Sequence, residues 1–429
     1  MRCEPLPPDP AAPASGHATP ATSPAAAGPA MPSPSDAPVL LLILVSTIQP
    51  MALNMYVPAM AAMQGDLATT ASLIQATLSA FLAATAFAQL VVGPLSDIYG
   101  RRPVLIGGAL VFTLGTIVCI AAPNVEVLIA GRIIQGAGGC AGLALSRAII
   151  RDIHGTRTSA SMIGYVTMGM AIAPLITPAI GGFLYQISSW RVIFVVMGIA
   201  GLISLFATVT RLRETHPPGP HGNGVFANWR REVAELLTIR DFWLVSATLA
   251  ALSLAFFSFI AGGAFVASSV FGLDAQTYGL YFIFVVTGYV VGNFFTGRYS
   301  ARIGVVRMIR IGNAISLIGI GVAVSLAVAG VASPLALFAP MLIVGTGNGF
   351  ALPNCIAGCV SVRPDLAGTA AGVAGFFQIG SGAIASVGIG LVIEFEVFPA
   401  SSWPVLAPMA CGGILAFILA FMLSARRFS

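Results

Sequence analysis

Between residues 38 and 424 the chain alternates long apolar runs with short polar links. Twelve runs are read as membrane-crossing helices: 38–62, 71–95, 102–122, 126–149, 158–186, 191–211, 241–268, 276–300, 305–330, 334–360, 366–393 and 401–424. Each is near or above the length a helix needs to cross a hydrocarbon core of roughly 30 Å. The links are short except for 212–240. There a Pro/Gly stretch, "ETHPPGPHGNG", precedes "FANWRREVAELLTIR", whose spacing predicts a short amphipathic helix lying on the membrane surface. The pattern is six, link, six. It predicts an all-α membrane protein with residues 1–37 as a disordered cytoplasmic tail, 38–211 as a first six-helix bundle, 212–240 as a cytoplasmic linker and 241–425 as a second bundle.

Composition agrees with the pattern. Charged residues make up 8% of the chain against roughly 25% in a soluble domain. Mean hydropathy is +0.94. The basic residues are all Arg; apart from Arg191 on an opposite link and Arg132 within a span, they fall on alternate links, including Arg101, Arg102, Arg211, Arg230, Arg231, Arg298, Arg302 and Arg363. The opposite links carry Asp66, Glu126, Asp274, Glu394 and Glu396. By the positive-inside rule both termini are expected in the cytoplasm of a cell bounded by this membrane. The net charge of +5 is therefore topological and implies no nucleic acid. The Cys and His spacings suggest neither a metal site nor an enzyme, and no phosphate-binding loop points to ATP. No cofactor is expected, and a single chain is expected to act as a monomer.

The two halves echo each other. A shift of 204 positions carries Gly93, Ser96 and Gly100 onto Gly297, Ser300 and Gly304. Duplicated bundles with a site between them are a transporter arrangement. In the first half this stretch reads "GPLSDIYGRR". Gly93 and Gly100 permit a tight turn, Arg101 and Arg102 anchor the link, and Asp97 can pair with Arg or with a helix amino terminus.

The same stretch resembles the signature of the major facilitator superfamily, with Gly93, Leu95, Asp97, Gly100, Arg101 and Arg102 matching and Ile98 departing. The resemblance implies that this cluster latches the halves together when the outer side is open. "APLITPAIGG" at 173–182 resembles the fifth-helix motif of drug–proton antiporters, through Pro174, Pro178, Gly181 and Gly182. "NMYVPAM" at 54–60 resembles the first-helix motif of the Bcr/CflA drug-resistance group, where Asp usually stands in place of Asn54. The resemblance implies export of small amphipathic drugs across the bacterial inner membrane by alternating access, driven by the proton gradient.

The departure at Asn54 matters because no Asp or Glu is expected deep in any span, and Arg132 is the one ionisable group there. An ionisable group inside a membrane is a functional candidate by default. The expected substrate or coupling residues are Asn54, Tyr56, Arg132, Gln135, Phe376, Phe377 and Gln378. Gln75 is a further expected lining residue. Asn54 and Arg132 are expected at similar depths. Asn cannot neutralise Arg, so Arg132 must use carbonyls, Gln135, water or an anionic ligand. A facilitator or importer of a small, anionic metabolite stands as the rival reading.

Overall fold

The computed structural model describes residues 39–216, 224–363, 366–395, 397 and 401–423. These residues are helical apart from turns and links, and no strand occurs among them. In order the helices are α1 (Val39–Asn54), α2 (Met60–Asp66), α3 (Ala71–Tyr99), α4 (Arg101–Ala121), α5 (Val125–Ile187), α6 (Trp190–Arg211), α7 (Gly224–Thr238) and α8 (Arg240–Ser269). They continue with α9 (Ala275–Tyr281), α10 (Ile283–Ile303), α11 (Val305–Val328), α12 (Pro334–Phe338), α13 (Met341–Val362), α14 (Ala367–Glu394) and α15 (Trp403–Met422). Helix is the form that satisfies each backbone group within its own segment when no water is at hand. Exposed helix starts carry local caps. Thr70, Asn124 and Asp274 accept from the amides of Leu73, Val127 and Thr277 at 3.3, 3.0 and 2.9 Å.

Eleven segments of the described residues are long and apolar enough to cross a bilayer. The second leg of α5 supplies the twelfth crossing. Here the structure corrects the expected break between runs 126–149 and 158–186, because α5 is helical over all 63 residues. A straight helix of that length would reach roughly 95 Å. Yet Arg191, just past its end, donates to the carbonyl of Ala122, just ahead of its start, at 3.0 Å. The helix therefore doubles back. Residues 150–157, at the expected break, are helical and contain no Pro.

Three crossings are themselves interrupted, between α1 and α2, between α9 and α10, and between α12 and α13. Pro58 follows the first break and Pro340 sits at the third; each lacks the amide that would continue the ladder.

Helices α1–α6 form one bundle and α8–α15 the other. In a membrane, close helix approach through small residues does much of the packing. Gly136 of α5 lies against the carbonyl of Phe81 on α3, and Gly345 of α13 lies against the carbonyl of Val285 on α10. Gly138 and Gly347 repeat the correspondence against Gly108 of α4 and Gly312 of α11. The bundles are thus duplicates at the level of backbone contact. They meet along two seams, α3 with α14 and α5 with α9.

The linker helix α7 also departs from expectation. Its apolar face is not left for lipid. Leu236 is fully buried in a cluster with Phe242, Val245 and Ala370 of the second bundle. Its carboxylates hold it there: Glu235 pairs with Arg363 at 2.5 Å and Glu232 accepts from Thr369 at 2.5 Å. Complementary polar partners dock the helix on protein.

Candidate functional site

At the arginine-rich end, Gly100 closes α3 and opens α4 with φ 97° and ψ 159°. That backbone region is open essentially to Gly alone. Gly304 takes φ 88° and ψ 149° at the same place in the second bundle, and the Gly100 and Gly304 amides donate to Ser96 and Ser300 carbonyls respectively. Arg101 turns back from this corner. It pairs with Asp97 at 2.6 Å and with Asp152 of α5 at 3.1 Å, and also bonds Ser96. Arg102 donates to the carbonyl of Val209, closing the end of α6 at 2.8 Å. All these partners belong to the first bundle.

Glu214 completes the corner, and sequence reading passed over it. Its carboxylate accepts from the amides of Arg101 at 2.8 Å and Arg102 at 3.1 Å, at the amino terminus of α4. It also accepts from Thr215 and His216 at 3.0 and 3.1 Å. A negative charge at a helix start meets unpaired amides and the positive end of the helix dipole.

The break in the first crossing organises the second cluster. α1 ends at Asn54, and Arg132 takes the carbonyl of Ala52 at 3.1 Å where the next turn would otherwise bond it. The same Nη1 donates to Gln135 Oε1, whose amide donates to Thr116 at 2.8 Å. The guanidinium lies between two rings, 4.2 Å from the centroid of Tyr56 and 4.0 Å from that of Phe81. Such stacking on desolvated faces is worth about 2 kcal/mol or more. Tyr56 in turn lies 3.5 Å from Thr77 Oγ1. Arg132, Tyr56 and Gln135 are each fully buried. Their partners come from α1, α3, α4 and the turn before α2, placing the cluster inside the first bundle. Asn54 is buried too, but its amide donates to its own helix at Pro50, 2.8 Å away, and it shares no bond with Arg132.

At the opposite end, the fifth-helix motif forms the seam. Gly181 packs directly on the Met55 carbonyl at the first-crossing break. A side chain on Gly182 would come within 2.5 Å of the Ala275 carbonyl, across the bundles. Gly279 returns the contact, since a side chain there would stand 2.8 Å from the carbonyl of Pro178. Pro174 and Pro178 lie within the helical run of α5. Beyond them Gln186 donates to Asp274 at 2.6 Å. Hydrogen bonds from Thr277, helped by Gln186, hold the Asp274 carboxyl below the usual carboxylate range.

Phe376 and Phe377 of α14 belong to an aromatic row. Phe87 of α3 meets Phe376 at 5.3 Å, Phe376 meets Phe377 at 5.6 Å and Phe377 meets Trp243 at 5.2 Å. Gln378 is half-buried beside them. The second bundle lacks a buried cation at the place that corresponds to Arg132. The glycine correspondence puts Met341 there and Val344 opposite Gln135, with Phe259, Phe282 and Phe338 packed nearby.

Two duplicated six-helix bundles, a glycine-cornered charge cluster at one end and a glycine seam at the other define a secondary transporter that works by rocking its halves. Residues 42–386 match the family model described as Major Facilitator Superfamily. The chain belongs to that superfamily. It is similar to a chloramphenicol resistance protein of Pseudomonas aeruginosa, 30% identical with 86% of each chain covered. It is also similar to a bicyclomycin resistance protein homolog of Haemophilus influenzae, 26% identical over 90% of this chain and 96% of that one. Among solved structures, a D-xylose-proton symporter shares the fold at TM-score 0.71 and 15% identity, covering 90% and 96% of the two chains.

Proposed function

We propose that this protein exports small amphipathic drugs across the bacterial inner membrane in exchange for protons. The similarity to two resistance proteins over nearly the whole chain carries the substrate class. The Arg distribution supports placing the arginine-rich end and both termini in the cytoplasm. The contacts across the seams at the other end then keep the outside closed. Both bundles come from one chain, which supports a monomer. In this reading the Gly93–Arg102 corner is the cytoplasmic latch, Pro174, Pro178, Gly181 and Gly182 form the hinge, and Phe376, Phe377 and Gln378 meet substrate. Arg132, with Tyr56 and Gln135, couples the broken first crossing to the rest of its bundle.

A resistance panel in a host stripped of its own pumps tests the substrate class. Expression should raise tolerance to chloramphenicol or bicyclomycin, and Asp97→Asn should abolish the gain while leaving the protein in the membrane. Unchanged tolerance to the whole panel, with the protein present, would remove the drug-export reading. The rival, a facilitator for an anionic metabolite, draws on one observation. Each Asp or Glu of the described crossings sits within about a turn of a span end, so Arg132 has no buried counter-ion.

A further inference from the structure

We infer that Gln75 is the positioning residue that holds the outer side shut, through hydrogen bonds made only when the two bundles meet there. Gln75 lies four residues into α3, about 6 Å below its outer end. It is fully buried. Its amide nitrogen donates to the carbonyl of Ala261 on α8 at 2.5 Å. The Ser386 hydroxyl of α14 donates to Gln75 Oε1 and lies equally near the Gln75 carbonyl, at 3.0 Å each. Both ends of one first-bundle side chain are therefore spent on the second bundle. Gly390 makes the approach possible, since a side chain there would stand 2.9 Å from Gln75 Cβ and 3.2 Å from Ser72 Cα.

The other end of the same seam is built differently. Gln89 of α3 lies against Gly372 and Gly375 of α14, yet among the described residues no hydrogen bond of its side chain crosses the seam. The α3–α14 contact is thus bonded near the outside and merely packed towards the cytoplasm. A further polar link at the outer end, Gln186 to Asp274, is exposed and competes with water, as exposed pairs do. Gln75 is shielded, so its bonds keep their strength until the seam parts.

Opening outward exchanges these bonds for water. Removing the amide takes the cross-seam donor from the buried Ala261 carbonyl and leaves the Ser386 hydroxyl only the Gln75 backbone carbonyl, a loss felt in the closed form alone because in the open form water reaches both. A stranded buried group costs enough to move the closed-to-open ratio about tenfold towards open. This inference rests on the outside assignment made above, but its readout is a distance and needs no transported drug.

The test is electron–electron spin-resonance distance measurement on reconstituted protein, with labels at Ser188→Cys and Val331→Cys, two exposed positions on opposite bundles. Cys3 and the exposed Cys411 are replaced by Ser. Gln75→Ala should enlarge the long-distance population about tenfold. Ser386→Ala should do the same, and the double variant should add nothing further. Gly390→Ala, which wedges the same seam without touching the amide, should shift the population in the same direction and covers a Gln75 variant that fails to reach the membrane. An unchanged distribution in the single variants, or an additive double, would overturn the role given to Gln75.

Discussion

Gly100 and Gly304 offer an internal control, because the duplication gives them one backbone conformation and two surroundings. Changing either to Ala forces a side chain onto φ near 90°, at a cost of about 1–3 kcal/mol. At Gly304 nothing lies within 4 Å of the added carbon, so the strain is the whole cost. At Gly100 the added carbon would stand 2.5 Å from Glu214 Oε2 and 2.9 Å from its carboxyl carbon. Glu214 must leave, and the Arg101 and Arg102 amides lose a charged acceptor, each such bond being worth about 1.5–3 kcal/mol. Taking one bond as lost, Gly100→Ala should unfold roughly 3–12 °C below Gly304→Ala, at about 2–4 °C per kcal/mol for a unit the size of one bundle. The assay is thermal unfolding in detergent, followed by labelling of the buried thiols Cys119 and Cys140 as they appear. Glu214→Ala should reproduce the extra loss in wild type and cause little further loss on top of Gly100→Ala. Equal midpoints for the two glycine variants would refute the assignment of Glu214 as the cap of α4.

Arg132→Lys should fail to restore what Arg132→Met loses, because an ammonium supplies neither the flat face between Tyr56 and Phe81 nor the paired bonds to Ala52 and Gln135; drug uptake into everted vesicles should fall at least tenfold in both. Asn54→Asp should increase proton flux per drug moved, read with a pH dye in proteoliposomes, since it returns an acid to the break whose Ala52 carbonyl Arg132 already holds. The Gln186–Asp274 contact should persist from neutrality down to about pH 5 and weaken only near or below the ordinary Asp value of roughly 3.9. The folded form holds this carboxyl lower than the unfolded chain does, so its contribution is present above that value and is lost as acid protonates Asp274. The spin-label distance between Ser188→Cys and Val331→Cys, followed over a pH series with Gln186 intact and again with Gln186→Ala, would show it.

Much of the architecture was readable because a bilayer demands apolar length, and length survives in a sequence. The crossings, the long link and the repeated Gly–Ser–Gly corner are all local patterns. A link was readable at "IRDIHGTR" from its charge and Gly155, but not that the helix would run on through it, which the absence of Pro permits. α7 showed its amphipathic face, yet nothing local says that Glu232 and Glu235 find Thr369 and Arg363. The site divides the same way. Arg132 and Gln135 stand out as polar residues three apart in an apolar run. Which way they turn depends on the free carbonyl left by the break at Asn54, a consequence of packing. Glu214 lies 113 positions from the amide it caps, and Gln75 lies 311 from Ser386. Those distances leave no periodic trace. The one signal available for Glu214 was an acid directly after a crossing, on an end otherwise rich in Arg.

The central claim is drug export driven by protons, and drug accumulation in proteoliposomes of the purified protein tests it most directly. The lumen is made acidic relative to the bath and radiolabelled chloramphenicol is added outside. Exchange should concentrate the drug inside above its bath level while protons leave, and a protonophore should release it. Drug that only equilibrates to the bath concentration, at the same rate with and without the gradient, would contradict proton-driven export and leave a facilitator.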